Sequence, residues 1–150
     1  MQEYPQLLIE NQLCFPLYAC SKEVVRAYAP FLEPLGVTYT QYLVMMVLWE
    51  KESLKVSDLG EELWLDSGTL TPVLKKLEAK GYLTRQRSSE DERCVTVTLT
   101  KEGEDLKQKA ADIPKHMTAC MRLQGDEAEQ LKALLKKLMK GLEKTEAQII

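Results

Sequence analysis

Four cysteines, Cys14, Cys20, Cys94 and Cys120, carry the most reactive side chains in this 150-residue sequence. A thiolate can attack a peroxide, ligate a soft metal or enter a disulfide. Spacing argues against the metal. No two cysteines form C-x-x-C, and with one histidine, His116, none of the usual zinc-ligand patterns occurs, so no metal site is expected. The first residues, MQEYPQLLIENQ, include Glu3 and no basic segment ahead of an apolar one, which is not the pattern of a secretory leader. The cysteines therefore read as reduced thiols of a soluble cytoplasmic protein, not as a disulfide framework. P-loop, G-x-G-x-x-G and G-x-S-x-G patterns are all missing, so nucleotide-binding and ordinary hydrolase chemistry have no residues to use. Neither enzymatic activity nor a cofactor is expected. Cys14 lies between Leu13 and Phe15, and on those neighbours alone it reads as an inert buried thiol.

A second set of residues points to anions. In DSGTLTPVLKKLEAKG the apolar positions fall on one helical face and leave Ser67, Thr69, Thr71, Lys75 and Lys76 outside. Small hydroxyl side chains at a helix N-terminus approach base edges and phosphates closely, where the helix dipole favours negative charge. From Thr71 to Arg87 there are five basic side chains (Lys75, Lys76, Lys80, Arg85, Arg87) against Glu78 alone, a local charge of +4. The whole chain carries −3, so the rest carries −7. Such a patch suits a phosphate-facing surface, and on charge alone it suits a solvated helix face about as well. Arg93 at the tip of the hairpin that follows tilts the reading towards DNA.

These residues need a scaffold. Apolar residues recur at helical spacings from Leu7 to about Leu32, with Pro16 expected to kink or break that helix. Thr38 with Gln41 forms a capping-box pattern that opens a short helix through Trp49. A helix from about Val56 to Leu63 follows, then one capped by Asp66 or Ser67 that carries Leu70, Val73, Leu74 and Leu77 inward and ends at Gly81. The period then changes to two: Tyr82–Arg87 and Cys94–Leu99 alternate as strands around the charged loop Ser88–Arg93. Thr100 can cap a helix from Lys101 to about Leu123, and Asp126 with Glu129 opens a last helix striped by Leu131, Leu134, Leu135, Leu138, Met139 and Leu142. The longest uncharged run, Val37–Trp49, is too short and too polar for a membrane span. Three short helices, a two-stranded hairpin and long terminal helices give a mainly α (α+β) fold, a winged helix-turn-helix. One 1–150 domain is expected, with residues of about 38–100 as the DNA-binding part. The segments of about 1–36 and 101–150 would be dimerisation helices, whose apolar surface exceeds what one small unit can cover.

At these motifs the chain resembles a known family. NQLCFPLY, VTYTQYLVMMVLWE, LDSGTLTPVLKKLEAKGYLTR and SSEDERCVTVTLTKEG are similar to the MarR family of dimeric winged-helix repressors, and the first three to its peroxide-sensing, OhrR-type branch. The resemblance implies that Ser67, Thr69, Thr71, Pro72, Lys75 and Lys76 enter the major groove of double-stranded DNA. Arg93, oriented by Asp91, would reach the minor groove, with Arg85 and Arg87 in the same basic stretch. A lone arginine on a hairpin tip independently suits a narrow, electronegative groove. The resemblance also makes Cys14 the peroxide sensor, hydrogen-bonded by Tyr28 and Tyr39 largely across the dimer, and places Cys120 near the family's resolving thiol.

The expected function is that of a homodimeric repressor on an inverted-repeat operator, released when a hydroperoxide oxidises Cys14 and the product resolves with Cys120 or a low-molecular-weight thiol. Two other readings fit the same residues: a MarR-type regulator responsive to a small aromatic ligand, and a thiol peroxidase. The peroxidase is disfavoured by the lack of a Thr-x-x-Cys pattern around Cys14.

Overall fold

The computed structural model describes residues 3–149, with side chains as far as Glu143. Positions 1, 2 and 150 of the span expected as one domain lie outside the described residues. The chain divides into two compact units, Met1–Ile113 and Pro114–Ile150.

The first unit begins differently from expectation. Two single 3-10 turns, Pro5–Leu7 and Ile9–Asn11, precede the first helix, α1, which runs from Cys14 to Leu32. Side-chain amides hold the turns: Asn11 Nδ2 donates to the Pro5 carbonyl, and Gln12 Nε2 donates to those of Gln6 and Leu8. These bonds draw the chain into tight turns, so the helical period visible from Leu7 is not propagated. Of the kink or break expected at Pro16 the structure shows the break: α1 starts only at Cys14, which makes Pro16 its third residue, where a missing N–H costs no intrahelical bond. After α1 a short 3-10 turn, Glu33–Leu35, ends at Gly36 with φ 68°, a left-handed conformation that glycine adopts without strain.

Helix α2, Tyr39–Lys51, opens with the expected capping box: Gln41 N–H donates to Thr38 Oγ1 while Thr38 N–H donates to Gln41 Oε1. Then come β1 (Ser53–Lys55), α3 (Val56–Leu63), α4 (Ser67–Ala79), β2 (Leu83–Arg87), β3 (Val95–Leu99) and α5 (Lys101–Ala110). The sheet has three strands in the order β1-β3-β2, both pairs antiparallel, with Leu54 opposite Val97 and Leu83 opposite Leu99. The hairpin was expected; β1 is an addition, because three residues following a helix carry no visible alternation.

The core gathers the predicted inner faces. Val44, Met45 and Leu48 of α2, Leu59 of α3, and Leu70, Leu74 and Leu77 of α4 pack with Leu83 and Val97 of the sheet, all essentially inaccessible. Burying such side chains contributes roughly 1.5–3 kcal/mol each relative to exposure. Gly103 in the first turn of α5 sits so close to the Tyr82 carbonyl that a Cβ would stand 2.2 Å from that oxygen. Thr100 caps α5 through Gly103 N–H and donates to the Gly81 carbonyl, and Trp49 Nε1 donates to the Gly103 carbonyl, so α5 is tied to α2 and to the α4–β2 turn.

The single helix expected from Lys101 to about Leu123 is two, α5 and α6 (Ile113–Met121). Pro114 offers no N–H to the Ala110 carbonyl, so the helical ladder stops and restarts with the proline near a new N-terminus, where it costs least. In the second unit α7 runs from Glu127 to Ile149. Its predicted stripe lies outward, with Leu131, Leu134, Leu138, Met139 and Leu142 exposed and Leu135 half-buried. No helix among the described residues is long and apolar enough to cross a membrane.

Candidate DNA interface and thiol site

Helix α4 carries the hydroxyl-rich set. Asp66 caps it by accepting Thr69 N–H at 2.7 Å, and this hydrogen bond holds its carboxyl below the usual carboxylate range. A Cβ on Gly68 would meet the capping oxygen at 3.3 Å, so a residue without a side chain keeps the cap open. Ser67, Thr69, Pro72, Lys75 and Lys76 are exposed. Thr71 is half-buried and turns its hydroxyl back onto the Ser67 carbonyl at 2.7 Å. Pro72 is the sixth helical residue, one turn deeper than an N-terminal proline, and withholds a donor from the Gly68 carbonyl. Against α4 packs α3, and the turn between them requires Gly60, whose added Cβ would approach the Leu65 carbonyl oxygen to 2.7 Å.

The wing is held by its own backbone. Ser88 N–H donates to the Cys94 carbonyl, Cys94 N–H to the Asp91 carbonyl, and Arg93 N–H to Asp91 Oδ1 at 3.0 Å. Asp91 thus fixes Arg93 through the main chain, and its other oxygen lies 3.8 Å from Cys94 Sγ, within reach of the thiol proton. The Arg93 side chain is exposed. Arg87, also exposed, donates to the Glu92 carbonyl. Arg85 is used differently: its Nε and Nη2 grip Glu78 Oε1 at 3.2 and 3.0 Å, and its N–H donates to Glu78 Oε2. That pairing pulls the Glu78 carboxyl below the usual range and ties α4 to β2. Lys80 likewise donates to the Gly36 carbonyl. The positive charge left outward on this side comes from Lys75, Lys76, Arg87 and Arg93.

The thiol site is split within one chain. Cys14 is the first residue of α1 and is exposed, not buried as its apolar neighbours suggested. Tyr28 lies fourteen residues further along the same helix, about 21 Å away at 1.5 Å per residue. Its ring packs tilted against Tyr39 of α2, centroids 4.7 Å apart, and against Tyr42 at 5.7 Å; Tyr42 meets Trp49 edge-on at 6.2 Å. Desolvation, with smaller effects from Tyr39 and Tyr42, pushes the Tyr28 hydroxyl up to about 12. Burial raises Tyr39 and Tyr42 as well, so all three stay protonated donors at neutral pH. Tyr42 was missed from sequence, although its i, i+3 spacing from Tyr39 places it on an adjoining helical face. Around Cys14, Leu7, Leu13, Phe15 and Tyr18 are exposed. Cys120 is exposed on α6, in the second unit, and Cys20 is exposed on α1. Among the described residues no group of histidine, cysteine and carboxylate side chains could hold a metal ion.

Comparison with known proteins places this geometry. Residues 26–110 match the family described as transcriptional regulator SarA/Rot. The organic hydroperoxide resistance transcriptional regulator of Bacillus subtilis (strain 168) is 48% identical, over 93% of this chain and 95% of that protein. Reduced AbfR bound to DNA superposes with a TM-score of 0.81 at 32% identity, covering 96% of this chain and 99% of that one. Disulfide-formed AbfR superposes with a TM-score of 0.62 at 36% identity, covering 89% and 94%.

Proposed function

Since this chain belongs to the winged-helix transcriptional regulators of the MarR and SarA/Rot type, in their organic-hydroperoxide-resistance branch, we propose that it represses transcription as a homodimer and leaves its operator when a hydroperoxide oxidises Cys14. As a regulator of transcription without a membrane-spanning helix among its described residues, it works on DNA in the cytoplasm.

The observation that carries this reading is the separation of Cys14 from Tyr28 and Tyr39. An exposed thiol at a helix N-terminus and a pair of protonated phenol donors are the two halves of a peroxide-reactive site, yet Tyr28 lies some 21 Å from Cys14 along α1, with Tyr39 of α2 packed beside it. A second copy running antiparallel along α1 brings the two halves together twice. The same association covers Leu13 and Phe15, whose exposure in an isolated chain costs hydrophobic free energy. In the dimer, α4 of each protomer enters a major groove through Ser67, Thr69, Thr71, Pro72, Lys75 and Lys76, and Arg93 of each wing enters the flanking minor groove. Arg85 serves this surface indirectly, by joining α4 to the wing through Glu78.

The chemistry balances simply. The Cys14 thiolate attacks one peroxide oxygen; an S–O bond forms, the O–O bond breaks, and the leaving alkoxide takes a proton to depart as the alcohol. Phenolic donors stabilise the thiolate before attack, and apolar neighbours favour an organic peroxide. The sulfenic acid then condenses with a second thiol, Cys120 or a small cellular thiol, forming a disulfide and releasing water. The test is a gel-shift titration on operator DNA with and without an organic hydroperoxide. Wild-type protein is expected to lose binding stoichiometrically and Cys14→Ser to keep it. Release of Cys14→Ser at the same dose refutes Cys14 as the sensor, and catalytic consumption of hydroperoxide with a thiol reductant refutes a sensor in favour of a peroxidase.

A further inference from the structure

Two of the five cations between Thr71 and Arg87 are engaged inside the fold, and in different ways. Lys80 donates to a neutral main-chain carbonyl, that of Gly36, which leaves its charge in place. Arg85 is held by a carboxylate. Glu78 Oε1 accepts its Nε at 3.2 Å and its Nη2 at 3.0 Å, while Glu78 Oε2 accepts its main-chain N–H at 2.8 Å.

The main-chain bond matters as much as the ion pair. Strand β2 is an edge of the sheet, and Arg85 gives its N–H outward to Glu78 instead of to β3. One carboxylate therefore fixes both the side chain and the backbone of position 85 against the last turn of α4. The two side chains keep only 27% and 36% of their accessible surface, so solvent screens them less than an open surface pair. Helix α4 carries Ser67, Thr69, Lys75 and Lys76 ahead of Glu78, and β2 leads from Arg85 to the wing with Arg87 and Arg93. The angle between these two groups of residues is set where Glu78 meets Arg85.

Charge gives the pair its second role. Arg85 and Arg87 are two positions apart on one strand, so their side chains leave the same face of the sheet. Arg87 is exposed, and an unpaired guanidinium beside it would meet the DNA backbone as well. Phosphate contacts carry no sequence information; they raise affinity for every duplex and narrow the margin between an operator and bulk DNA. Resting on the reading of this surface as an operator interface, we propose that Glu78 is a specificity-determining residue: it holds the wing at the angle the operator requires and withholds Arg85 from the phosphates of every other sequence.

Two duplexes are the probes, an inverted repeat selected by the wild-type chain from random-sequence DNA and a scramble of the same composition. Each is titrated by fluorescence anisotropy over a range of salt. Glu78→Gln keeps one acceptor oxygen but turns an amide donor towards the other donor of Arg85, so it cannot hold both the guanidinium and the main-chain N–H. The variant should bind the scramble with a log–log salt slope steeper by about 1.8, from two freed arginines per dimer at about 0.9 each. Its preference for the selected duplex over the scramble should fall by about tenfold. Adding Arg85→Met to Glu78→Gln should return the slope to the wild-type value. Arg85→Met alone should leave the slope unchanged, because a cation already held by Glu78 releases no counterions from DNA, and it decides the matter if Glu78→Gln fails to fold. A purely structural loss weakens both duplexes alike and does not steepen the slope. An unsteepened slope in Glu78→Gln, or a shallower one in Arg85→Met, overturns the role of Glu78 while leaving the operator reading intact. A wild-type chain that selects no sequence overturns both.

Discussion

Mixed dimers test whether the reactive thiol is assembled from two chains. Cys14 and Tyr28 are about 21 Å apart along α1, whereas a thiol hydrogen bond closes near the 3.8 Å that Cys94 Sγ keeps from Asp91. No side-chain rotation in one protomer spans that gap, so any contact of Tyr28 or of Tyr39 beside it with Cys14 must come from the partner. Two differently tagged chains, co-expressed and purified in tandem, give defined heterodimers. In the first, one chain carries Tyr28→Phe and Tyr39→Phe with Cys14 intact, and the other carries Cys14→Ser with its tyrosines intact. The surviving thiol then faces the partner's phenols and should react with hydroperoxide at the wild-type rate. In the second, a wild-type chain is paired with one carrying Cys14→Ser, Tyr28→Phe and Tyr39→Phe, and its thiol faces phenyl rings. A hydrogen bond to a charged group is worth about 1.5–3 kcal/mol, so this thiol should react roughly tenfold to a hundredfold more slowly. Stopped-flow oxidation followed by mass spectrometry of the single remaining Cys14 gives both rates. A slow first heterodimer with a fast second one, or equal rates in both, refutes assembly across the dimer.

Three further outcomes follow from the same fold. Arg93→Ala should weaken operator binding by roughly 1–3 kcal/mol without altering the mass of the dimer by light scattering, and unchanged affinity removes the wing from the interface. Gly103→Ala places a methyl 2.2 Å from the Tyr82 carbonyl oxygen and should cost about 3 kcal/mol by urea unfolding; unchanged stability contradicts that close approach. Tyr28, pushed up to about 12 in the fold against 10.0 when unfolded, adds a destabilising term in alkali. The unfolded chain sheds this proton first, so stability is unaffected below about pH 10 and falls as pH rises towards 12. Tyr28→Phe should flatten that limb of a stability–pH curve, and an identical slope in both proteins contradicts the buried donor.

What the sequence determined by itself is the set of relations that close within a turn or two. Thr38 with Gln41, Asp66 with Thr69 N–H, and Thr100 with Gly103 N–H are contacts three residues apart, so residue type and spacing are enough to locate the helix starts. Alternation around Val97 and helical spacing around Leu70, Leu74 and Leu77 were legible for the same reason: the period is a property of the local backbone, and the core needs no more than one apolar face from each element. The tertiary structure decided what depends on distant partners. Strand β1 exists because Leu54 finds Val97, forty-three positions on, and nothing within Ser53–Lys55 announces it. Arg85 reads as a phosphate ligand until the fold brings Glu78 against it. Cys14 reads as a core thiol beside Leu13 and Phe15 until the amides of Asn11 and Gln12 coil the preceding residues and leave it at an open helix end. Its distance from Tyr28 is likewise a consequence of α1 continuing unbroken past Pro16, since a proline in the first turn lacks only a hydrogen bond that the helix would not have made.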